Sequence, residues 1–338
     1  MTSAPNSDPN QRGWYELEPD REAGLRGRAR VAAEAFATIY IALIATVAAV
    51  SGIYFIMFPE LGALSYDVFG RPRGHWSNSP VQLALTPVFT AVVGIVMTRN
   101  LPYGFVSVML TVIGALAIIL ALRSPVAPAI SAGLLPLVLG IRSWAYPPGI
   151  LLGTTILALL SILWRRYHSV AQENVPRDRE PDALPGGIAW LIALLMFVAL
   201  AACIVKITGL RFILFPPLVV IAYEMFAHEA SCAWADKPFR LPVAAFLASA
   251  GGFGFWYLLG ATPLTAACSM ICGIGVLRAT RVHVPPALAV ALLPMVMDAP
   301  TIAYPFAVGL GTLILTVWFY LYRRILGWYG SPILRAVI

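Results

Sequence analysis

Long apolar runs divided by short polar breaks lay out this chain. A polar lead over 1–31 gives way to an apolar run over 31–54, long enough to span a bilayer, which takes ~20 residues. A shorter apolar stretch, 59–69, follows. Its leading proline suits the first turn of a helix, and at ~1.5 Å per residue it reaches only about half the hydrocarbon core. This predicts either a re-entrant half-helix or a helix lying in the headgroup layer. A polar loop over 70–80 precedes spans over 81–98 and 101–122, separated by Arg99-Asn100. Segment 123–140 is apolar but broken by prolines, and 146–164 spans again before the Arg165-Arg166 stop. The second half repeats this order: spans over 188–208, 241–259, 262–276 and 304–322, with short elements over 216–226 and 282–298.

The two halves match residue by residue. Arg123 to Gly140 and Arg281 to Asp298 share eight of eighteen positions at an offset of 158, among them Arg123/Arg281, Pro128/Pro286 and Pro136/Pro294. Phe55 to Phe69 and Phe212 to Phe226 share seven of fifteen at an offset of 157, including Pro59/Pro216 and Tyr66/Tyr223. Gly52 falls on Gly209, Gly94 on Gly251, and Tyr146 on Tyr304. The pattern predicts an all-α polytopic membrane protein of two tandem homologous repeats, each with about four spanning helices plus two short or re-entrant segments. The expected partition is a disordered cytoplasmic tail (1–31), a first membrane repeat (32–167), a charged linker (168–186), a second repeat (187–326) and a C-terminal tail (327–338).

Composition agrees. Of 338 residues 59% are hydrophobic and 12% charged, against about 25% charged in a soluble globular chain. The net charge of +7 forms no basic, aromatic-laced patch for nucleic acid, so the excess arginine reads as a positive-inside signal with the N-terminus in the cytoplasm of a bacterial inner membrane. No apolar stretch opens the chain as a signal peptide would. The four cysteines show no disulfide or metal spacing. Segments 123–140 and 281–298 decide the topology: if they reach half-way, each repeat has four spans and the halves lie parallel; if they cross, each has five and the halves are inverted. The charge rule favours parallel halves.

The chemistry lies inside the apolar segments, where ionisable groups are costly and mark function. Asp67 and Glu224 are equivalent, each just after a paired tyrosine; Arg123 and Arg281 are paired at the mouths of the proline segments; His283 and Asp298 occur in the second half only. Pro128, Pro136, Pro286 and Pro294 each remove an N–H, an interior proline also frees a carbonyl one turn earlier, and Tyr66, Tyr223, Tyr146 and Tyr304 are the nearest paired hydroxyl donors. Broken helices also present N-termini that attract anions. The expected pathway residues are Pro59, Tyr66, Asp67, Arg123, Pro128, Tyr146, Pro216, Tyr223, Glu224, Arg281, His283, Pro286, Asp298 and Tyr304. No enzyme signature is present: His228-Glu229 lacks the second histidine of a zinc protease, and there is no P-loop or dinucleotide fingerprint. No catalytic residue, cofactor or metal is expected. The partners expected are the lipid bilayer and a small solute, without nucleic acid, and a homo-oligomer is left open.

Residues 212–324 carry a proline-started short helix, a polar loop, two spans, Arg281…His283-Val284-Pro285-Pro286-Ala287 and a last span. This resembles the HPP-type integral membrane proteins, named for a His-Pro-Pro motif opening a short apolar segment. The chain departs from that motif, with Val284 before the prolines and His283 one residue early; the first half has Ser124-Pro125-Val126-Ala127-Pro128 and no histidine. The resemblance implies transport of a small anion such as nitrite, the role associated with cyanobacterial and plastid members. Two repeats in one chain would replace a dimer of single-repeat members. The function expected is a transporter or channel with its pathway between the repeats. The rivals are a non-transporting scaffold and an intramembrane lipid-modifying enzyme built on His283 and Asp298.

Overall fold

The computed structural model describes Leu25 and residues 27–169, 188–229 and 232–329. Most of the expected tails and linker lies outside these residues. Among the described residues there is no strand. The first half runs α1 (Gly27–Ser51), α2 (Glu60–Gly70), α3 (His75–Asn78), α4 (Pro80–Asn100), α5 (Phe105–Ala121), α6 (Ala129–Leu139) and α7 (Tyr146–Ser169). The second runs α8 (Ala189–Thr208), α9 (Pro216–Ala227), α10 (Arg240–Leu259), α11 (Pro263–Thr280), α12 (Pro286–Leu292) and α13 (Ala303–Tyr329). Seven helices have the length and apolar composition to cross a membrane, and α5, with 17 residues, is slightly shorter. The chain is a multi-pass, all-α membrane protein. Arg28 and Arg30, expected in the tail, belong to α1, where Arg30 pairs with Glu34 one turn on.

The long helices expose side chains such as Ile39, Leu43, Val243 and Leu247 on their outer faces, as lipid contact requires. The short helices are the core. Ten of the eleven residues of α2, ten of the eleven of α6, eleven of the twelve of α9 and all seven of α12 are buried.

The short elements cross the membrane, half as irregular backbone and half as helix. Gly52, in a left-handed conformation (φ 70) that glycine adopts without a Cβ clash, ends α1 on the face opposite its start. The chain turns inward past Phe55, whose ring lies edge-on to Tyr146 at the start of α7. Leu61 approaches Gly153, and the Tyr40 hydroxyl, half-way along α1, donates to the Gly153 carbonyl at 2.9 Å. At the end of α2 the Gly70 carbonyl accepts from the amide of Leu25, beside the start of α1. Segment 53–70 therefore passes from the far face to the near face, where α1 begins. Its helix supplies ~16 Å, and 53–59, part 3-10 turn and part extended at ~2–3.3 Å per residue, supplies the rest.

Segment 123–142 crosses in the same broken manner, from near to far. Gln82, near the start of α4, donates to the Leu122 carbonyl; Thr90, at its middle, donates to that of Ala129; Arg99, near its end, donates to that of Arg142. Four helices and two broken crossings make six passages, an even number, so each half begins and ends on the near face. In the second half Arg240 bonds the Thr280 carbonyl and Arg323 that of Ala235, as Gln82 and Arg165 do for Leu122 and Ser77. The halves run parallel. The expected link between a complete crossing by 123–140 and inverted halves is corrected: 53–70 crosses as well, and the two extra passages cancel. A re-entrant or interfacial 59–69 is corrected by the same contacts.

Proline chemistry is matched inside these crossings. Pro136 frees the carbonyl of residue 132, and the Tyr146 hydroxyl donates to Ala132 O at 3.0 Å. Pro294 frees that of residue 290, and Tyr304 donates to Val290 O at 2.6 Å. Around Pro294 the helix tightens to a 3-10 turn, Leu293–Val296, whereas α6 continues through Pro136 to Leu139. A Cβ on Gly94 would fall on the backbone of Gly133, and one on Gly252 on that of Ala291, so α4/α6 and α10/α12 meet backbone to backbone. The partner of Gly94 is thus Gly252 rather than Gly251. The extra residue of the second half lies earlier, between Phe226, edge-on to Tyr322 as Phe69 is to Trp164, and Ala235.

The halves meet reciprocally. α1 packs on α11 and α2 on α12, while α8 packs on α5 and α9 on α6. The contacts between the halves are reciprocal in order, and α12 also packs on α9 within the second half.

Each of Tyr146→Phe and Tyr304→Phe should lower the stability of the detergent-solubilised protein by ~1 kcal/mol, between the cost of an unpaired buried carbonyl and the typical hydrogen bond in a membrane protein. Reversible unfolding measures it. Wild-type stability in both variants would show that the freed carbonyls find other partners.

Candidate functional site

Two polar regions stand out at the plane between the halves, one at the near face and one at mid-depth. The near-face cluster is assembled by both halves. Arg281 ends α11 in a left-handed conformation (φ 53), unusual for a residue with a Cβ, and turns the chain inward; Arg123 (φ 46) does the same after α5. Past that turn, the His283 ring lies 3.4 Å from the Asp67 carboxylate and 5.6 Å, centre to centre, from the Tyr66 ring. Asp67 also faces Arg71 one turn on, at 3.5 Å. The Tyr66 hydroxyl accepts from Arg30, and Arg30 pairs with Glu34. Buried Glu34 binds Arg278 of α11. Arg278, Glu34, Arg30 and Tyr66 form one chain of contacts, and Asp67 with His283 closes a second link between the halves. A buried carboxylate is tolerated when it is paired in this way.

The equivalent face of the other interface is different. Glu224 pairs with His228, the residue that caps its helix, at 3.1 Å, and Tyr223 packs edge-on against Trp190 and His228. Pro125 stands where His283 does, and its carbonyl accepts from the Trp76 indole.

The other expected pathway residues divide clearly. Pro59, Pro128, Pro216 and Pro286 are buried at the starts of the four short helices. Tyr146 and Tyr304 are buried, with their hydroxyls on freed carbonyls. Arg123 and Arg281 are exposed on the near face, and Arg281 lines an open hollow of about 430 Å³ with Arg240, Phe239 and Thr280. Asp298 is exposed at the far end of the crossing that His283 opens, so the two do not come together. On the far face Arg211 sits over the Tyr103 ring, 4.9 Å from its centre, joining the halves there.

Glu60 is the residue that sequence reasoning missed. It opens α2 at mid-depth, is 1% exposed, and neither carboxyl oxygen has a hydrogen-bond partner. The Ser131 hydroxyl on α6 lies within reach but outside good hydrogen-bond geometry. An ionised group at this depth costs ~3 kcal/mol or more, and one helix N-terminus offsets about 0.3–1. The N-termini of α2, α6 and α9 all lie at mid-depth, because α2 and α9 run from there to the near face and α6 to the far face. The signal was present: Phe58-Pro59-Glu60 matches Phe215-Pro216-Pro217, which leaves one acid in an otherwise apolar run.

No family model matches the sequence, and neither does any curated protein or solved structure.

The Glu34–Arg278 pair should show a coupling of ~1 kcal/mol in a double-mutant cycle of Glu34→Gln and Arg278→Gln, since both arginines that hold Glu34 are half-exposed. Strictly additive effects on unfolding would mean that the pair does not hold the halves together.

Proposed function

We propose that this protein is a transporter or channel for a small solute, with its pathway between two tandem repeats. The observation that carries the reading is the placement of four broken segments, at corresponding positions of the two halves, around the plane where the halves meet. Irregular backbone at membrane depth persists where protein covers it or where it lines a cavity, and discontinuous helices at a repeat interface are the usual seat of a transport site. Contacts paired at an offset of 158, together with Phe55–Tyr146 and Phe212–Tyr304, in which the phenylalanines are 157 apart, support reading the halves as repeats.

A small anion is the first solute to test. Three helix N-termini directed at mid-depth favour negative charge, and nitrite is the solute that the resemblance to HPP-type proteins suggests. The near face is the cytoplasmic one in this reading. It carries Arg28, Arg30, Arg71, Arg165, Arg166, Arg278, Arg323 and Arg324 among others, against Arg99, Arg142, Lys206 and Arg211 on the far face.

Purified protein in liposomes should pass at least one member of a panel of small anions, nitrite included, faster than empty liposomes. Tyr223→Phe and Arg281→Gln should slow that flux several-fold at equal folded protein. No flux for any solute, or unchanged flux in both variants, would refute the pathway and favour a scaffold.

A further inference from the structure

The carboxyl of Glu60 makes no well-formed hydrogen bond, and the Ser131 hydroxyl is the polar side chain beside it. At the equivalent place in the second half stand Pro217 and, opposite it, Ala289 in place of Ser131. The same packing is met there by apolar side chains, so the fold itself requires neither the acid nor the hydroxyl. An unpartnered acid at mid-depth, at the junction of two halves, is a group kept for what it binds.

We propose that Glu60 is a proton-binding site that couples the movement of the halves to uptake and release of one proton; the coupling rests on the transport reading, the proton site does not. The exchange balances simply: the carboxylate takes one proton from hydronium or from a proton-bearing neighbour, becomes the neutral acid and leaves water or the deprotonated neighbour behind. The neutral form suits the closed centre, where neither oxygen has a partner. The charged form is favoured when the centre opens to water, helped by the place of Glu60 in the first turn of α2. A metal ion is the poorer fit, since a hard cation needs several oxygen ligands and Glu60 with Ser131 supplies three at most.

The route to water starts at the near face. Glu60 and Asp67 are seven residues apart on α2, two turns along one face and ~10 Å apart. Asp67 contacts His283, which the second half contributes, so relative movement of the halves alters the proximal end of that route. The charged and titratable groups of the elements around α2 are accounted for at its two ends. Near Glu60 is Tyr146 of α7, whose hydroxyl donates to the Ala132 carbonyl; on α1 the Tyr40 hydroxyl donates to the Gly153 carbonyl, and α12 contributes no titratable group. Around Asp67 are Arg30 and Glu34 of α1, His75 of α3, Arg71 and His283. Arg165 of α7 reaches the Ser77 carbonyl on the same face.

Infrared difference spectra of the full-length protein in liposomes, recorded between acidic and alkaline buffer in H2O and D2O, read the site without any solute. The wild type should show a protonated-carboxyl stretch that is lost at alkaline pH and shifts in D2O. Glu60→Gln should lose it, Glu60→Asp should keep it displaced, and Ser131→Ala should move it. A wild type without a titrating, exchanging band overturns the proposal, as does a band that Glu60→Gln leaves in place. If Glu60→Gln does not fold, an unmoved band in both Glu60→Asp and Ser131→Ala overturns it equally. A titrating Glu60 band with no solute flux would sink the transport reading and leave the proton site standing; solute flux without the band would do the reverse.

Discussion

Hydrocarbon gives an unpaired backbone group nothing to bond, and the architecture of this protein follows from that constraint. Each half breaks its backbone twice inside the membrane, and every break must be covered by protein. The long helices provide the cover. They stand outside, expose aliphatic side chains, and enclose α2, α6, α9 and α12 almost completely. Two tyrosines at the starts of α7 and α13 bond the carbonyls that the interior prolines release. Glycine at 94 and 252 lets α4 and α10 come close enough to seal the broken crossings beside them.

The frame is nearly symmetric and the chemistry is not. One interface carries Glu34, Arg278, Asp67, Arg71 and His283; the positions equivalent to Glu34 and Arg278 are Leu191 and Leu120. Glu60 and Ser131 are likewise answered by Pro217 and Ala289. Packing terms depend on shape and are satisfied twice, whereas a buried charge is costly each time it is placed. Ion pairs that cross between the halves are accordingly confined to one interface, and at the other Glu224 pairs locally with His228.

Much of this was legible in the sequence. Apolar runs located the eight long helices, and of the four paired tyrosines expected to meet carbonyls freed by the prolines, Tyr146 and Tyr304 do so while Tyr66 accepts from Arg30 instead. What was not legible has a common cause. Length rules count helical rise, ~1.5 Å per residue, so 59–69 and 123–140 look too short or ambiguous, while extended backbone at ~3.3 Å completes each crossing. The contact between Asp67 and His283 spans 216 positions and depends on how the halves dock. Glu60 was not legible because an acid in the first turn of a short helix reads as its polar end, and its burial depends on how the surrounding helices close over that turn.

The central claim is that 53–70 and 123–142 are complete crossings, which makes the halves parallel. Single cysteines on a background without Cys203, Cys232, Cys268 and Cys272 test it in sealed vesicles with an impermeant thiol reagent. Ser51→Cys should label from one side of the membrane, and Asn78→Cys, Tyr167→Cys and Ile325→Cys from the other. Labelling of Ser51→Cys and Asn78→Cys from the same side would make 53–70 re-entrant, and labelling of Tyr167→Cys and Ile325→Cys from opposite sides would invert the halves; either result contradicts the account.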